Sequence, residues 1–391
     1  MKKIQIILLS LTCMAMATAC NAGDKNNTKD AADQTDKAPG TSVTSPADDI
    51  KEDGSEPEDT KTDGTDSEET KDGGPVDLLG SQDFYPLKAD TEYVYEGSGN
   101  EYASFTTYVD YLDPTGGRLQ TRTNNGGTET VRVLEFKDGK LYITRIVNES
   151  YYRDNLLDSE TEGEAEILLM EPLVPGTGWT LPDGRKRTIT AADVLIDTPT
   201  GKYQALEVTT EGEDSTTKDY YAKNTGLVKS VFTSGDLEVS STLSSINKDV
   251  PLTRDIIVYY PDSDGNIYTE SKSISFRTND ITREVLSEAL KAEVPKPSHL
   301  PLLSKNANIN SLYLGEDRIV YLDLSSEFIK ESNTGAGFEQ LLLQSIANTF
   351  GMYYSAEEIY LTIDGKPYES GHILLKKGET IKVNLDQVIT E

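Results

Sequence analysis

Cys20 is the first residue of this chain whose type and position could support chemistry, because its thiol can be modified covalently. An apolar run covers residues 4–16, and the small residues Ala17-Thr18-Ala19 come directly before Cys20. With the two lysines near the start, this order is typical of a cleavable export signal, and the run is shorter than the roughly 20 residues of a membrane-spanning helix. The sequence therefore predicts a signal peptide over residues 1–19, with Cys20 beginning the mature chain.

The small residues before Cys20 resemble a bacterial lipobox, whose cysteine receives a diacylglyceryl group. Ala17 departs from the family pattern, which has leucine at that place. The resemblance implies lipid attachment at Cys20 and a membrane-anchored protein outside the cytoplasm, because a lipid with more than one acyl chain holds a protein firmly. The alternative is an ordinary signal-peptidase site, which would leave a lone thiol in an oxidising space. Cys13 lies inside the apolar run and matches the pattern less well.

The two histidines, His299 and His372, are the next candidates, since an imidazole can act as a base near neutral pH. Both lie beside turn-like sequence. No G-x-S-x-G elbow accompanies them, neither belongs to an H-E-x-x-H zinc motif, and a lipidated Cys20 leaves no thiol to activate. We therefore predict no catalytic residue and no enzymatic activity.

Two glycine-containing segments are candidates for ligand-binding loops. Residues 262–266 read Asp-Ser-Asp-Gly-Asn and begin like a calcium loop. Their glycine comes too early for an EF-hand, and the closing glutamate is missing, so we predict a hairpin turn, with calcium as an alternative. Gly335-Ala336-Gly337 lacks the lysine of a phosphate-binding loop, and we interpret it as a loop before a helix. No metal and no cofactor are predicted.

The segment over residues 20–75 is predicted to be a disordered acidic linker. It contains 16 Asp or Glu and six Lys, and large apolar residues are rare in it. Such a composition does not bury enough apolar surface to offset the entropy of ordering. The formal net charge of the whole chain is −30. This charge argues against nucleic acid and against adsorption to anionic lipid, both of which need basic residues.

The length of the chain after the linker predicts two domains, and the first covers residues 76–248. Apolar and polar residues alternate along short segments that are separated by turn residues, as in residues 105–111. Lys137-Asp138-Gly139-Lys140 joins two such segments and predicts a hairpin. No long amphipathic helix interrupts this region. We predict an all-β antiparallel barrel or curved sheet.

The second domain is predicted over residues 249–391, where strands and helices alternate. The predicted order is a strand at 256–260, a helix at 281–290 with Asp280 as its N-cap, a strand at 319–324, a helix at 338–350 capped by Gly351, and a strand at 359–363. The last strand has one apolar face and one open face carrying Tyr360 and Thr362. This order predicts a two-layer α/β (α+β) domain with the helices on one side.

Four segments of this domain are similar to the GerMN domain, the module of sporulation and germination lipoproteins. They are Ile257-Val258-Tyr259-Tyr260-Pro261-Asp262, residues 320–328, residues 335–350 with their Asn348-Thr349 end, and Ile363-Asp364-Gly365-Lys366-Pro367 followed by Gly371-His372. They stand in the family's order over residues 255–388. The sporulation members carry tandem copies, whereas one copy is found here. The resemblance implies a non-enzymatic domain, similar to ring-building modules, that helps to assemble protein complexes of the envelope.

The sequence thus predicts a cell-envelope lipoprotein that binds a protein partner or its own copies through an open sheet face or edge. One alternative is a surface binding module, because a barrel can enclose a small apolar ligand. The 21 tyrosines could also stack on cell-wall glycan, although tyrosine is common in strands for structural reasons. A cell-wall hydrolase that uses a carboxylate pair is the weakest alternative.

Overall fold

The computed structural model describes residues 80–85, 88–161, 163–291, 294–332, 335–386 and 388–389. Cys20, the predicted signal peptide and the predicted linker lie outside these residues. The described part is mostly β-strand, with three α-helices and one short 3-10 helix, Ser81–Phe84. None of its helices is both long enough and apolar enough to cross a lipid bilayer.

Twelve strands form one antiparallel sheet, in the order β6-β5-β4-β3-β2-β1-β12-β11-β10-β9-β8-β7. They are β1 (Thr91–Ser98), β2 (Phe105–Asp113), β3 (Arg118–Asn124), β4 (Glu129–Lys137), β5 (Lys140–Asn148), β6 (Glu166–Met170), β7 (Gly178–Thr180), β8 (Lys186–Thr198), β9 (Gly201–Glu211), β10 (Thr216–Ala222), β11 (Gly226–Ser234) and β12 (Leu237–Lys248). The predicted antiparallel sheet is confirmed. So is the hairpin between β4 and β5, where Asp138 and Gly139 both have positive φ, as its tight turn requires.

Side chains of β7 and of its neighbour β8 contact β6, the strand at the opposite edge of this sheet. The guanidinium of Arg187 lies 2.9 Å from the Glu166 carboxylate and donates to the Ile167 carbonyl at 2.8 Å. The indole N–H of Trp179 donates to the same carbonyl at 2.9 Å. These contacts cover the β6 edge, which would otherwise present unpaired backbone groups. The sheet is therefore nearly closed into a barrel, and we call it the barrel-like sheet.

An apolar core lies inside the barrel-like sheet. Most of its buried members come from strands on both sides of the β6–β7 seam, because the sheet curls around them. They are Phe84, Leu119, Leu134, Leu141, Ile143, Leu169, Trp179, Leu181, Ile189, Leu206, Val208 and Tyr221. Side chains thus fill this part of the interior, as expected for a barrel of modest size.

The C-terminal part contains two smaller sheets and the helices. One sheet pairs β13 (Leu252–Pro261) with β14 (Ile267–Phe276) and β14 with β20 (Val388–Ile389). The other, which we call the second sheet, has the order β15 (Ile309–Leu314), β16 (Ile319–Leu324), β17 (Glu358–Ile363) and β18 (Lys366–Pro367), with β19 (Ile381–Lys382) also paired to β17. The helices are α1 (Thr282–Lys291), α2 (Glu327–Ser332) and α3 (Ala336–Tyr354).

This arrangement differs from the predicted single layer of strands. The strand predicted at 256–260 lies in β13, which pairs with β14 over ten residues and not with the strands of the second sheet. Near its end, the Tyr259 N–H donates to the Thr349 hydroxyl of α3 at 3.1 Å. A helix therefore meets β13 where a further strand was expected. One apolar core nevertheless joins both sheets and the helices.

Two predicted helix caps were wrong. Helix α1 begins at Thr282, and the Asp280 carboxylate accepts the Arg277 N–H instead of a helix N–H. Helix α3 continues past Gly351 to Tyr354, and Ser355 takes the left-handed cap conformation. A Cβ on Gly351 would come within 2.2 Å of the Val383 side chain. This glycine therefore permits close packing and does not end the helix.

Candidate functional site

Three tyrosines stand side by side on the face of the second sheet that is turned away from the core. Tyr313 in β15, Tyr321 in β16 and Tyr360 in β17 are direct partners in the strand register. The ring centroids of Tyr313 and Tyr321 are 5.1 Å apart, with an angle of 5° between the ring planes. The centroids of Tyr321 and Tyr360 are 5.7 Å apart at 68°. We call this row the tyrosine ladder.

Strand pleating places the ladder on this face. Side chains alternate between the two sides of a strand, so Val320 and Leu322 enter the core while Tyr321 points the other way. Cross-strand neighbours on one face of a sheet contact each other, and aromatic pairs stabilise the sheet. The outermost ring, Tyr313, keeps 49% of its surface exposed. The ladder is therefore both a structural element and an exposed aromatic surface.

The turn before β16 holds the central ring in place. The Tyr321 hydroxyl donates to the Asp317 carboxylate at 2.8 Å, and the other oxygen of Asp317 accepts the Ile319 N–H at 3.1 Å. This hydrogen bond raises the pKa of the Tyr321 phenol. A Cβ on Gly315 would come within 2.7 Å of the Tyr321 ring, so this position has room for glycine alone.

Carboxylates border the ladder on both sides. Asp323 accepts hydrogen bonds from the Gly365 N–H at 2.7 Å and from the Asn310 amide at 2.9 Å. On the opposite side, Glu358 lies 3.9 Å from the ammonium of Lys382, whose side chain is 80% exposed. With Asp317, three carboxylates and one exposed ammonium therefore lie on or beside this face.

The outer edge of β15 is covered at two points. The guanidinium of Arg283 donates to the Asn310 carbonyl at 3.1 Å. Farther along the strand, the Asp154 carboxylate of the segment after β5 approaches the Leu314 N–H. Backbone groups at an uncovered edge would invite pairing with another strand. This edge of β15 is therefore less open than the face that carries the ladder.

Asp154 is a buried acid. Burial raises the pKa of its carboxyl to about 6, while hydrogen bonds from the Tyr354 hydroxyl (2.9 Å) and the Leu314 N–H act in the opposite direction. Because the pKa is higher in the folded chain than in the unfolded chain, protonation favours folding. The stabilisation that protonation gives is complete in acid and is lost as the pH rises through about 6.

We expect Asp154→Asn to remove this pH dependence. In the wild-type chain, Asp154 should lower the free energy of unfolding by about 2 kcal/mol between about pH 4 and about pH 7. Urea unfolding of both proteins across this range should show that the free energy of unfolding of the variant increases relative to that of the wild type as the pH rises. Asp236→Asn, in an exposed turn, is the control and should not change the profile. An equal pH dependence in wild type and Asp154→Asn would contradict this prediction.

Arg153 connects the barrel-like sheet to the C-terminal part. Its side chain is fully buried. The guanidinium donates to the Asp110 carbonyl at 2.7 Å, the Arg277 carbonyl at 3.0 Å and the Tyr111 hydroxyl at 2.8 Å. It also lies 4.1 Å from the centre of the Tyr111 ring and 3.8 Å from the Asp110 carboxylate. One side chain thus contacts β2 and the residues that lead into α1.

A second ion-pair network supports this junction. Arg122 is buried and contacts the carboxylates of Asp110 and Glu129, each at 3.0 Å. Arg254 of β13 lies 2.8 Å from the same Glu129 carboxylate. Glu129 therefore bridges β3 and β13. The predicted domain boundary at residues 248/249 falls between β12 and β13, but the described residues on its two sides belong to one compact unit.

A comparison with protein-family models gives a match in the C-terminal part of the chain. The family described as Germane, sporulation and spore germination, matches residues 257–369. The chain carries a GerMN-like segment. All three tyrosines of the ladder lie in it, and so do most of the residues on which the predicted resemblance was based. That prediction is confirmed.

Solved structures with similar segments are distant. The chain is 19% identical to the tandem GerMN domains of the sporulation protein GerM from Bacillus subtilis, over 32% of this chain and 45% of that one, with a TM-score of 0.25. The chain is 15% identical to a candidate exported protein with a YmcC-like fold from Bacteroides fragilis, over 42% of this chain and 99% of that one, with a TM-score of 0.28. It is 21% identical to a candidate lipoprotein from Clostridium perfringens, over 34% of this chain and 87% of that one, with a TM-score of 0.22. No curated protein matches the chain.

The structure places the two histidines apart from the ladder. His299 is buried between the rings of Tyr260 and Tyr268, with centroid distances of 5.7 and 5.2 Å, and no other described residue forms a hydrogen bond with its Nδ1. His372 is exposed just after the GerMN-like segment, and its N–H donates to the Ser370 hydroxyl. Among the described residues, no group of three potential metal ligands comes together.

The two loops considered as ligand sites are structural in the described chain. Asp262 accepts the N–H groups of Asp264 and Asn266 at 2.9 and 2.8 Å, so this segment is the hairpin turn between β13 and β14. Gly335 is the N-cap of α3. Sequence reasoning noticed Tyr360 on an open face but missed its neighbours in the ladder. It also missed Arg153, which lies in a polar segment without periodicity.

Proposed function

We propose that this chain is an exported, lipid-anchored protein of the cell envelope that binds another protein in spore formation or germination and catalyses no reaction. The tyrosine ladder carries this proposal, because it is an exposed aromatic surface on the open face of the GerMN-like segment. Tyrosine is enriched where proteins bind each other, since its ring is apolar and its hydroxyl is polar. The family match supports the link to sporulation, and the features around Cys20 support export and anchoring.

The ladder favours a protein over a cell-wall glycan as the ligand. A sugar stacks on the open face of an aromatic ring. In the ladder, Tyr321 has one face against Tyr313, since these two rings are nearly parallel. Tyr360 meets Tyr321 at a steep angle. The central ring therefore offers little face to a sugar, and of the three rings Tyr313 alone is half exposed, so a sugar would find a single stacking ring. Ring edges and hydroxyls suit the mixed surface of a protein better. The apolar core inside the barrel-like sheet likewise gives no support to a small apolar ligand.

A photo-reactive amino acid at position 313 tests the proposal in intact cells of the source organism. We expect irradiation to link this position to a protein of the envelope, because 49% of the Tyr313 surface is exposed at the end of the ladder. Mass spectrometry of the adduct identifies the partner. Depletion of that partner should then impair spore formation or germination to the same extent as deletion of this chain.

Position 352 provides a matched control. Met352 on α3 is also exposed, at 44%, but it lies on the helix side of the GerMN-like segment. The same photo-reactive residue there should give no adduct, or adducts with other molecules. Adducts at position 313 with glycan alone, or the same protein adducts at both positions, would exclude the tyrosine ladder as the binding surface.

A further inference from the structure

We infer that the protein bound at the tyrosine ladder presents a basic segment, with lysine or arginine side chains between the ladder and its carboxylate border. This inference rests on the proposed binding function and specifies the chemistry of the partner. The first observation is local charge. Asp317, Asp323 and Glu358 lie on or beside the ladder face, and Lys382 is the basic residue paired with Glu358 there. The surface is therefore acidic as well as aromatic.

The second observation is the form of the aromatic surface. Lysine and arginine side chains bind over tyrosine rings, because the ring face carries partial negative charge. Tyr313 is at the open end of the ladder, and its ring is half exposed. Asp317 accepts a hydrogen bond from the Tyr321 hydroxyl, so a carboxylate is fixed close to the central ring. A guanidinium or ammonium of the partner can thus contact a ring and a carboxylate together. The two contacts should bind it more tightly than a ring alone or a carboxylate alone.

The charge of the whole chain points to the same partner. A formal net charge of −30 attracts a basic surface from a distance and accelerates its encounter. A second copy of this chain is a poorer occupant. In a symmetric pair of ladder faces, each copy would bring the same three carboxylates, and like charges in an interface weaken binding.

Binding of charged peptides to the full-length protein in detergent tests the inference. The probes are a short Lys-Gly repeat peptide and a Glu-Gly repeat peptide of the same length, each with a fluorescent label. We expect the lysine peptide to bind and the glutamate peptide not to bind. The double variant Asp317→Asn and Glu358→Gln should weaken binding of the lysine peptide by about tenfold, because it removes both carboxylates while keeping their size. Tyr313→Leu should weaken it further.

The control removes the same charge elsewhere. Glu213→Gln with Asp214→Asn changes two exposed carboxylates in the loop between β9 and β10, and should alter the affinity by less than about twofold. Equal weakening by both pairs, or no weakening by either, would show that the lysine peptide follows net charge or binds the linker, and would overturn the inference. If position 313 forms adducts in cells but the peptides show no ladder-dependent binding, the binding function stands and the basic partner is rejected.

Discussion

Arg153→Met should lower the free energy of unfolding by about 3–5 kcal/mol, one of the largest losses available to a single substitution in the described chain. Methionine fills a similar volume but donates no hydrogen bond. The variant would leave the Asp110 carboxylate buried with less compensating charge. It would also remove one of the two donors to each of the carbonyls of Asp110 and Arg277, which would keep only the N–H groups of Asn279 and Asp280. A buried carboxylate that loses part of its compensating charge is costly, because its desolvation is no longer offset in full.

Urea unfolding followed by circular dichroism measures this loss. Arg185→Met is the matched control, since Arg185 pairs with Asp183 at 2.7 Å on the surface, where an ion pair contributes little. The control should change the free energy of unfolding by less than about 1 kcal/mol. If Arg153→Met also costs less than that, Arg153 does not hold the junction together as the structure indicates.

Cys20→Ala should abolish fatty-acid labelling of the protein in cells. Each buried methylene of an acyl chain contributes about 0.8 kcal/mol to membrane binding, so the two chains of a diacylglyceryl group on Cys20 would hold the protein firmly. Growth with a labelled fatty acid, followed by purification and electrophoresis, measures the modification. The wild-type chain should carry label and sediment with membranes.

Cys13→Ala is the control for this experiment. Cys13 lies inside the predicted signal peptide, so its replacement should leave labelling of the mature chain unchanged. Label on the Cys20→Ala protein, or a wild-type protein that carries no fatty acid and is recovered from the medium, would refute lipid anchoring. The binding surface on the second sheet does not depend on this outcome.

Local sequence signals predicted the elements of this fold well. Asp138-Gly139 indicated a hairpin because few other residues accept its backbone angles, and the alternation over residues 105–111 indicated a strand of the barrel-like sheet. Helix ends were harder to predict. Gly351 looked like a cap, since glycine often ends helices, but its small size serves packing against Val383, a contact between residues distant in sequence.

The candidate site could be predicted only in part for the same reason. The pattern in residues 359–363 correctly gave β17 one covered face, and it placed Tyr360 on the other. That Tyr313 and Tyr321 lie beside it depends on the order of strands in the second sheet, which no local pattern encodes. Arg153 gave no signal at all, because a buried arginine in an irregular segment has the same sequence context as an exposed one.

The position of Arg153 determines how mechanical load would pass through this molecule. Its acceptors come from β2 on one side and from Arg277 and Asp280, just before α1, on the other. Turning either part against the other would break several charge-assisted hydrogen bonds at once. A pull applied at the ladder would therefore reach the barrel-like sheet partly through the Arg153 guanidinium and partly through the Glu129 bridge to Arg254.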